Sequence, residues 1–180
     1  MKTEKPQAVK YFIGALYSDK NLLEQSCAEI SSKIGPIDIL SNIFPFTSTT
    51  YYDEEMGSPI FRRFLSIQRL MSPGRLAELK VLCNDMEDSL AVNGHRKVNL
   101  DIGYLDLHKL VLASAKYNGQ KIYLDQGIYA DLTLAFENGQ YHPLENTFPD
   151  FKSGLYNEFL LEIRTIYKQQ LRTNTGSFST

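Results

Sequence analysis

The chain has 180 residues, of which 43% are hydrophobic and 22% charged, and its net charge at pH 7 is −2. A chain of this length fits one domain, or one domain with a small extension, and can bury about 70% of its unfolded surface, so no disulfide or metal is expected to be needed for folding. The near balance of charge excludes a strongly basic protein, and neither nucleic acid nor a membrane is expected as a partner. We predict a single domain over residues 1–172 and a disordered tail over residues 173–180.

The first half of the chain predicts a β-α-β-β-α-β order. Residues 9–17 are apolar on both parities, which is typical of a central strand covered on both faces. The following elements are predicted in turn: a helix capped by Ser18 over Asp19 to about Ile34, a strand over 37–44, a loop over 45–58, a strand over 60–70, a helix opened by Ser72 and Pro73, and a strand over 97–101. This order is typical of a ferredoxin-like core with a mostly antiparallel sheet, in the α+β class.

The second half extends that core. Leucines and alanines between Asp106 and Lys116 predict a short helix. Turn residues such as Asn138-Gly139 then separate three short alternating segments, which predict a three-strand meander over 121–125, 128–136 and 140–144. A C-terminal helix is predicted from Leu155 to Arg172.

Polar residues alternate with apolar ones along the strands between residues 96 and 136. Since successive side chains of a strand point to opposite faces, one face of the sheet should be apolar and the other polar. The polar face is the predicted working surface, and its residues are Asn99, Asp101, Tyr123, Tyr129, Asp131 and Thr133.

Two of these residues, Asp101 and Asp131, are the candidate catalytic groups. Asp is disfavoured inside strands, and a residue that breaks a propensity rule hints at function. If the two strands are neighbours, the carboxylates could form a pair for acid–base chemistry or metal binding. The alternative is that each lies at a solvated edge or caps a following helix.

Basic and aromatic side chains around this face point to an anionic ligand. Lys109 and Lys116 are seven residues apart and would share one face of the predicted short helix, and Arg63 has the parity of buried neighbours. Charge together with exposed Tyr side chains suits a phosphate-bearing ligand or single-stranded nucleic acid. The loop residues Tyr51, Tyr52 and Glu54 are predicted to close one side of the site. The alternative is an ordinary solvated surface.

Several familiar sites are absent from the sequence. It contains no Gly-Lys dipeptide and no G-x-G-x-x-G, so neither a P-loop GTP site nor a dinucleotide site is expected. The three histidines show no metal-binding spacing, and no metal site is predicted, although Asp53-Glu54-Glu55 could help to hold a hard cation. Cys27 and Cys83 lie on helical apolar stripes and are interpreted as free buried thiols of a cytoplasmic protein, with a disulfide as the open alternative.

Four motifs carry a resemblance to a known family. They are YYDEEMG over residues 51–57, NLDIGYL over 99–105, KLVLASAK over 109–116 and IYLDQGIYA over 122–130. Together they resemble a bacterial and archaeal single-domain family of unknown function, of about this length, whose members are sometimes labelled GTP-binding. The resemblance implies no catalytic roles.

The leading hypothesis is therefore a cytoplasmic protein that binds or acts on a phosphorylated or nucleotide-like small ligand at the polar sheet face. A protein–protein adaptor that uses the Tyr-rich loop and the C-terminal helix is the alternative, and RNA binding on the sheet is a third. The sequence does not decide the oligomeric state.

Overall fold

The computed structural model describes residues 2–176, with the side chains of residues 2–173. In this part of the chain a nine-stranded sheet forms the centre of the fold. Its strands are β1 (Val9–Tyr17), β2 (Ile37–Leu40), β3 (Phe44–Pro45), β4 (Phe61–Met71), β5 (Val98–Leu105), β6 (Lys109–Ser114), β7 (Ile122–Asp125), β8 (Ile128–Glu137) and β9 (Gln140–Pro143).

Neighbouring strands of the sheet run antiparallel. The order is β2-β4-β1-β5-β6-β8-β7, with β3 paired to β4 and β9 paired to β8. From β5 onward, β5 pairs with β6, β7 with β8 and β8 with β9 as hairpins of consecutive strands, while β6 pairs with β8. Strand β1 lies between β4 and β5, both distant from it in sequence. The predicted α+β class with a mostly antiparallel sheet is confirmed.

Helices cover both faces of the sheet. They are α1 (Lys20–Lys33), α2 (Asp53–Met56), α3 (Leu76–Ser89), α4 (Pro149–Lys152) and α5 (Asn157–Gly176). The odd-numbered residues of β1, such as Tyr11 and Ile13, pack with α1 and α3, whereas Phe12 packs with the aromatic side of α5. Each face thus has its own apolar core, and the prediction of a central strand covered on both faces is confirmed.

Two local signals fix the helix starts. Asp19, and not Ser18, is the cap of α1, because its carboxylate accepts hydrogen bonds from the backbone N–H groups of Asn21 and Leu22. Ser72 caps a 3-10 turn over Pro73–Arg75 that leads into α3, as predicted. The segment over 45–58, predicted to be a loop, contains the short helix α2.

The predicted helix over 106–116 is wrong. Lys109–Ser114 form strand β6, which lies between β5 and β8. Its side chains from Leu110 to Ala113 are buried on both faces of the sheet. A short apolar run has the same appearance in a buried strand and in a buried helix, and here pairing on both sides overrides the helix propensity of Leu, Ala and Lys.

The meander and the C-terminal helix occur where they were predicted. Strands β7, β8 and β9 differ from the expected ranges by one residue at several ends, and α5 continues to Gly176. Residues 177–180 of the predicted tail lie outside the described residues. Across the described chain, no helix is both long enough and apolar enough to cross a membrane.

Candidate functional site

The sheet splits between β5 and β6. Strand β5 pairs with β1 along its whole length but with β6 only from Gly103 to Leu105. Continued in the same register, the ladder would place Ala115 opposite Leu100, but the two strands have separated there. The gap is a cavity of about 780 Å³, lined by residues of both separated strands and of the segments that pack on the two faces of the sheet. We call it the split-sheet cleft.

Side chains from α3 occupy the hydrogen-bonding positions that β6 leaves vacant. Glu87 Oε1 accepts a hydrogen bond from the backbone N–H of Leu100 at 2.8 Å, and Lys80 Nζ donates to the Leu100 carbonyl at 2.9 Å. Buried backbone groups need partners, and this pair supplies them in place of a strand. At the last paired position, Gly103 allows close approach, because a Cβ there would lie 2.5 Å from the carbonyl oxygen of Val111.

Glu87 is the centre of a buried ionic network. Its carboxylate lies 3.4 Å from Lys80 Nζ and 3.0 Å from Arg96 Nη1, and its side chain is 3% exposed. Burial raises the pKa of the Glu87 carboxyl, while Lys80 lowers it. The two cations and the Leu100 N–H together compensate for taking this carboxylate out of water.

Arg96 links this network to the loop that carries α2. Its Nε and Nη2 donate to the two carboxylate oxygens of Glu55 at 2.6 and 2.8 Å, a bidentate pair, and its Nη1 also lies 3.3 Å from Asn99 Oδ1. These hydrogen bonds hold the pKa of Glu55 below its usual value and raise that of Arg96. Arg96 thereby fixes residues 51–56 beside the cleft.

Arg62, like Lys80, is a buried cation that lines the cleft. Its guanidinium lies 3.4 Å from Asp101 and 3.2 Å from Asp150, and the ring of Phe46 lies 5.1 Å away. The guanidinium crosses Gly14, where a Cβ would lie 2.8 Å from Arg62 Nη1. Glycine on β1 therefore makes the room that lets Arg62 reach across the sheet toward Asp101 on β5.

The opposite side of the cleft carries two lysines. Lys121 Nζ donates to Ser114 Oγ at 2.9 Å and lies 3.7 Å from the carboxylate of Asp131. Lys116 Nζ donates to the hydroxyl of Tyr51 at 3.0 Å and lies 4.7 Å from the centre of its ring. The Tyr51–Lys116 contact joins the α2 loop to the end of β6, and it lowers the pKa of the Tyr51 hydroxyl.

The cleft brings together half of the residues selected from the sequence. Both candidate carboxylates line it, although they come from strands that are not direct neighbours. The predicted residues that line the cleft are Tyr51, Tyr52, Asn99, Asp101, Lys116 and Asp131.

The other predicted residues lie outside the cleft lining. Arg63 donates to the Ser41 carbonyl at 3.2 Å, and Lys109 pairs with Asp106 beyond the other end of β6. The remaining ones are Glu54, Tyr123, Tyr129 and Thr133. The rings of Tyr123 and Tyr129 contact each other with centres 5.4 Å apart, and the Thr133 hydroxyl donates to the Asp131 carbonyl.

Five charged residues of the cleft were missing from the predicted site. They are Arg62, Lys80, Glu87, Arg96 and Lys121. A signal existed for Lys80 and Glu87, because they are seven residues apart and share a helical stripe with the buried Leu76 and Cys83. For Arg62 the local signal was misleading, because strand parity pointed to Arg63, whereas Arg62 is the buried one. The room for its guanidinium depends on Gly14, far away in sequence.

The described residues show no cluster of three or more His, Cys, Asp or Glu side chains that could hold a metal ion. Asp53 and Glu54 lie on α2, where Glu55 is engaged by Arg96. Cys27 and Cys83 are free thiols, and burial raises the pKa of both.

Comparison with known proteins places the chain in a family. A family described as a domain of unknown function, DUF4416, matches residues 7–167. Neither the curated proteins nor the solved structures contain a match to the chain. The expected membership of an uncharacterised family is confirmed. Because the match covers most of the chain, the chain belongs to the DUF4416 family.

Proposed function

We propose that the split-sheet cleft binds, or acts on, a small phosphorylated or nucleotide-like ligand. Its volume of about 780 Å³ lies within the range of small-molecule sites, roughly 300–1,000 Å³. It combines aromatic walls with a few converging polar groups, which is the usual composition of such sites. The ligand would lie in a cleft between two strands, and not on a flat sheet face.

The observation that carries the proposal is the pair of lysines on the β6 side. The hydrogen bond described for Lys116 Nζ goes to the neutral hydroxyl of Tyr51. Lys121 Nζ has one carboxylate nearby, that of Asp131 at 3.7 Å. Two ammonium groups against the single carboxylate of Asp131 leave positive charge available at this wall. A phosphate group is the ligand chemistry that such a wall favours.

Aromatic rings beside these lysines support a ligand with a flat or apolar part. Phe148 lies 5.9 Å from Lys121 Nζ, and Tyr51 and Tyr52 contact each other edge to face with ring centres 5.0 Å apart. Rings of this kind stack on planar groups and cover apolar ones. This supports the nucleotide-like form of the proposal.

Asp101 and Asp131 remain the proposed groups for acid–base chemistry. Both line the cleft, and each has a cation beside it, Arg62 and Lys121 respectively. We expect Asp131→Asn to fold normally and to lose ligand binding, because Asp131 holds Lys121 in place beside the ligand. Equal binding by this variant would remove Asp131 from the site.

A thermal-shift screen against nucleotides, phosphosugars, inorganic phosphate and divalent ions tests the proposal, followed by calorimetry on each hit. A ligand that binds only the folded state raises Tm by mass action. Lys121→Met should abolish the shift, whereas Lys109→Met, a matched change outside the cleft, should preserve it. A shift that survives Lys121→Met would contradict the proposed site.

Two other outcomes would favour the other functions. No shift with any phosphorylated compound, together with a specific protein partner, would support an adaptor. Salt-dependent retention of RNA would support an RNA-binding module.

The architecture supports two further proposals. The order β2-β4-β1-β5, with α1 and α3 on one face, supports a ferredoxin-like arrangement for the first part of the chain. The free thiols of Cys27 and Cys83 support a cytoplasmic, reducing setting.

A further inference from the structure

The two walls of the cleft differ in charge. We define the β5 wall as Arg62, Lys80, Glu87, Arg96, Asn99 and Asp101, and the β6 wall as Ser114, Lys116, Lys121 and Asp131. On the β6 wall ammonium groups outnumber carboxylates, as described above. On the β5 wall every cation is already paired with a carboxylate.

Neighbouring carboxylates compensate the cations of the β5 wall. Its three cations are compensated by Glu87 and Asp101 in the lining, and also by Glu55 and Asp150 behind it. Arg62 lies between two carboxylates, and Arg96 likewise. A second anionic group of the ligand would find no unpaired cation at this wall and would face the carboxylates of Glu87 and Asp101, so the wall disfavours an anion.

The same wall nevertheless has hydrogen-bond donors to spare. Asn99 Nδ2 and Arg62 Nε are buried and have no hydrogen-bond partner within the described part of the chain. Both residues line the cleft, and their exposed fractions are 5% and 4%. A buried donor without a partner is costly, and the usual explanation is a water or ligand group that completes it.

We infer that the ligand carries an uncharged hydrogen-bond acceptor, such as a carbonyl group, opposite its phosphate, and that the β5 wall binds this acceptor through Asn99. The inference rests on the proposed function and specifies its substrate class. The phosphate would bind Lys116 and Lys121. The ligand is thus anionic at one end and neutral at the other, which excludes compounds with two acidic ends.

The test is calorimetry with three matched series of alkyl phosphates of increasing chain length. One series ends in an acetyl group, the second in a carboxylate and the third in an isopropyl group, which have similar shapes. At the best length, the acetyl compound should bind at least about tenfold more tightly than either of the others, since only it offers a neutral acceptor.

Variants test whether Asn99 is the source of the preference for the acetyl compound. Asn99→Asp keeps an oxygen for Arg96 but removes the donor, so the advantage of acetyl over isopropyl should disappear. Asn42→Asp, a matched change at an exposed position, should preserve that advantage. Lys121→Met should weaken all three series equally. Because the ranking of the three compounds is measured on the unaltered protein, the inference stays testable even if Asn99→Asp fails to fold.

Three results would overturn the inference: equal binding of the carboxylate series, equal binding of the isopropyl series, or a preference that survives Asn99→Asp. Equal binding of all three series that is lost with Lys121→Met would overturn it while leaving the proposed phosphate site standing. If no series binds at any length, the inference falls, and the wider panel of phosphorylated compounds decides the proposed function.

Discussion

Glu87 and Leu100 are joined by a hydrogen bond that belongs to neither a helix nor a sheet: the helix α3 carboxylate accepts from the β5 backbone N–H at 2.8 Å. The bond stands where the next strand would have supplied a carbonyl. With Lys80 on the Leu100 carbonyl, it lets the sheet separate at its centre without leaving the strand backbone unsatisfied.

Glu87→Leu should therefore destabilise the protein strongly. It removes the acceptor for Leu100 and leaves Lys80 without its carboxylate, and breaking a buried ionic pair from one side costs about 3–5 kcal/mol. Glu87→Gln keeps an acceptor oxygen and should cost less, about 1–3 kcal/mol. Urea unfolding at neutral pH measures both. Equal stability of the two variants would show that the Leu100 contact contributes little.

Gly103→Ala tests the point where the strands part. A Cβ there would lie 2.5 Å from the backbone of Val111 and 2.8 Å from Leu112 Cδ2, so the strands must move apart. We expect a loss of about 1–3 kcal/mol in the free energy of unfolding. Gly74→Ala is the control, because its nearest atom lies at 3.6 Å. A stable Gly103→Ala variant would mean that β5 and β6 separate without strain.

The Arg96–Glu55 pair predicts a loss of stability in acid. The pKa of Glu55 is held below its usual value of 4.5 by hydrogen bonds from Arg96, so its contribution is present above pH 4.5 and is lost as the pH falls through the lower, folded-state pKa. The stability difference between the wild type and Glu55→Gln should vanish over that fall. Glu54→Gln, on the same helix turn, is the matched control, and at neutral pH it should be about as stable as the wild type.

Tyr52 predicts the opposite behaviour in base. Burial raises its pKa from 10.0 to about 12, so the folded state favours the protonated phenol. Its stabilising contribution is complete below pH 10 and is lost as the pH rises toward 12. Tyr52→Phe has no phenol to ionise and should gain stability relative to the wild type across that interval. A constant difference from neutral pH to pH 12 would contradict the shift.

The sequence predicted features that depend on the pattern within one strand or helix better than features that depend on contacts between distant segments. The doubly apolar residues 9–17 predicted a central strand, and strand parity together with unfavourable propensity selected Asp101 and Asp131, both of which line the cleft. The run from Leu110 to Ala113 misled because burial on two faces removes the alternation that identifies a strand.

The cleft itself has no local signature in the sequence. It exists because β5 and β6 stop pairing, and because charged residues of α3 satisfy the strand that is left. Arg62 was missed for a similar reason, since strand parity favoured its neighbour Arg63. Only the pairing of β1 with both β4 and β5 puts Arg62 over Gly14 and beside Asp101.

The closeness of Gly14 to Arg62 has an evolutionary consequence. A methyl group at position 14 and a guanidinium at position 62 would compete for the same space, 2.8 Å apart. In a relative that carries a larger residue at position 14, the side chains at positions 62 and 64 would have to shift. A shorter or redirected residue at position 62 would leave Asp150 without its guanidinium partner. The two positions are therefore expected to change together, and the acid would change with them.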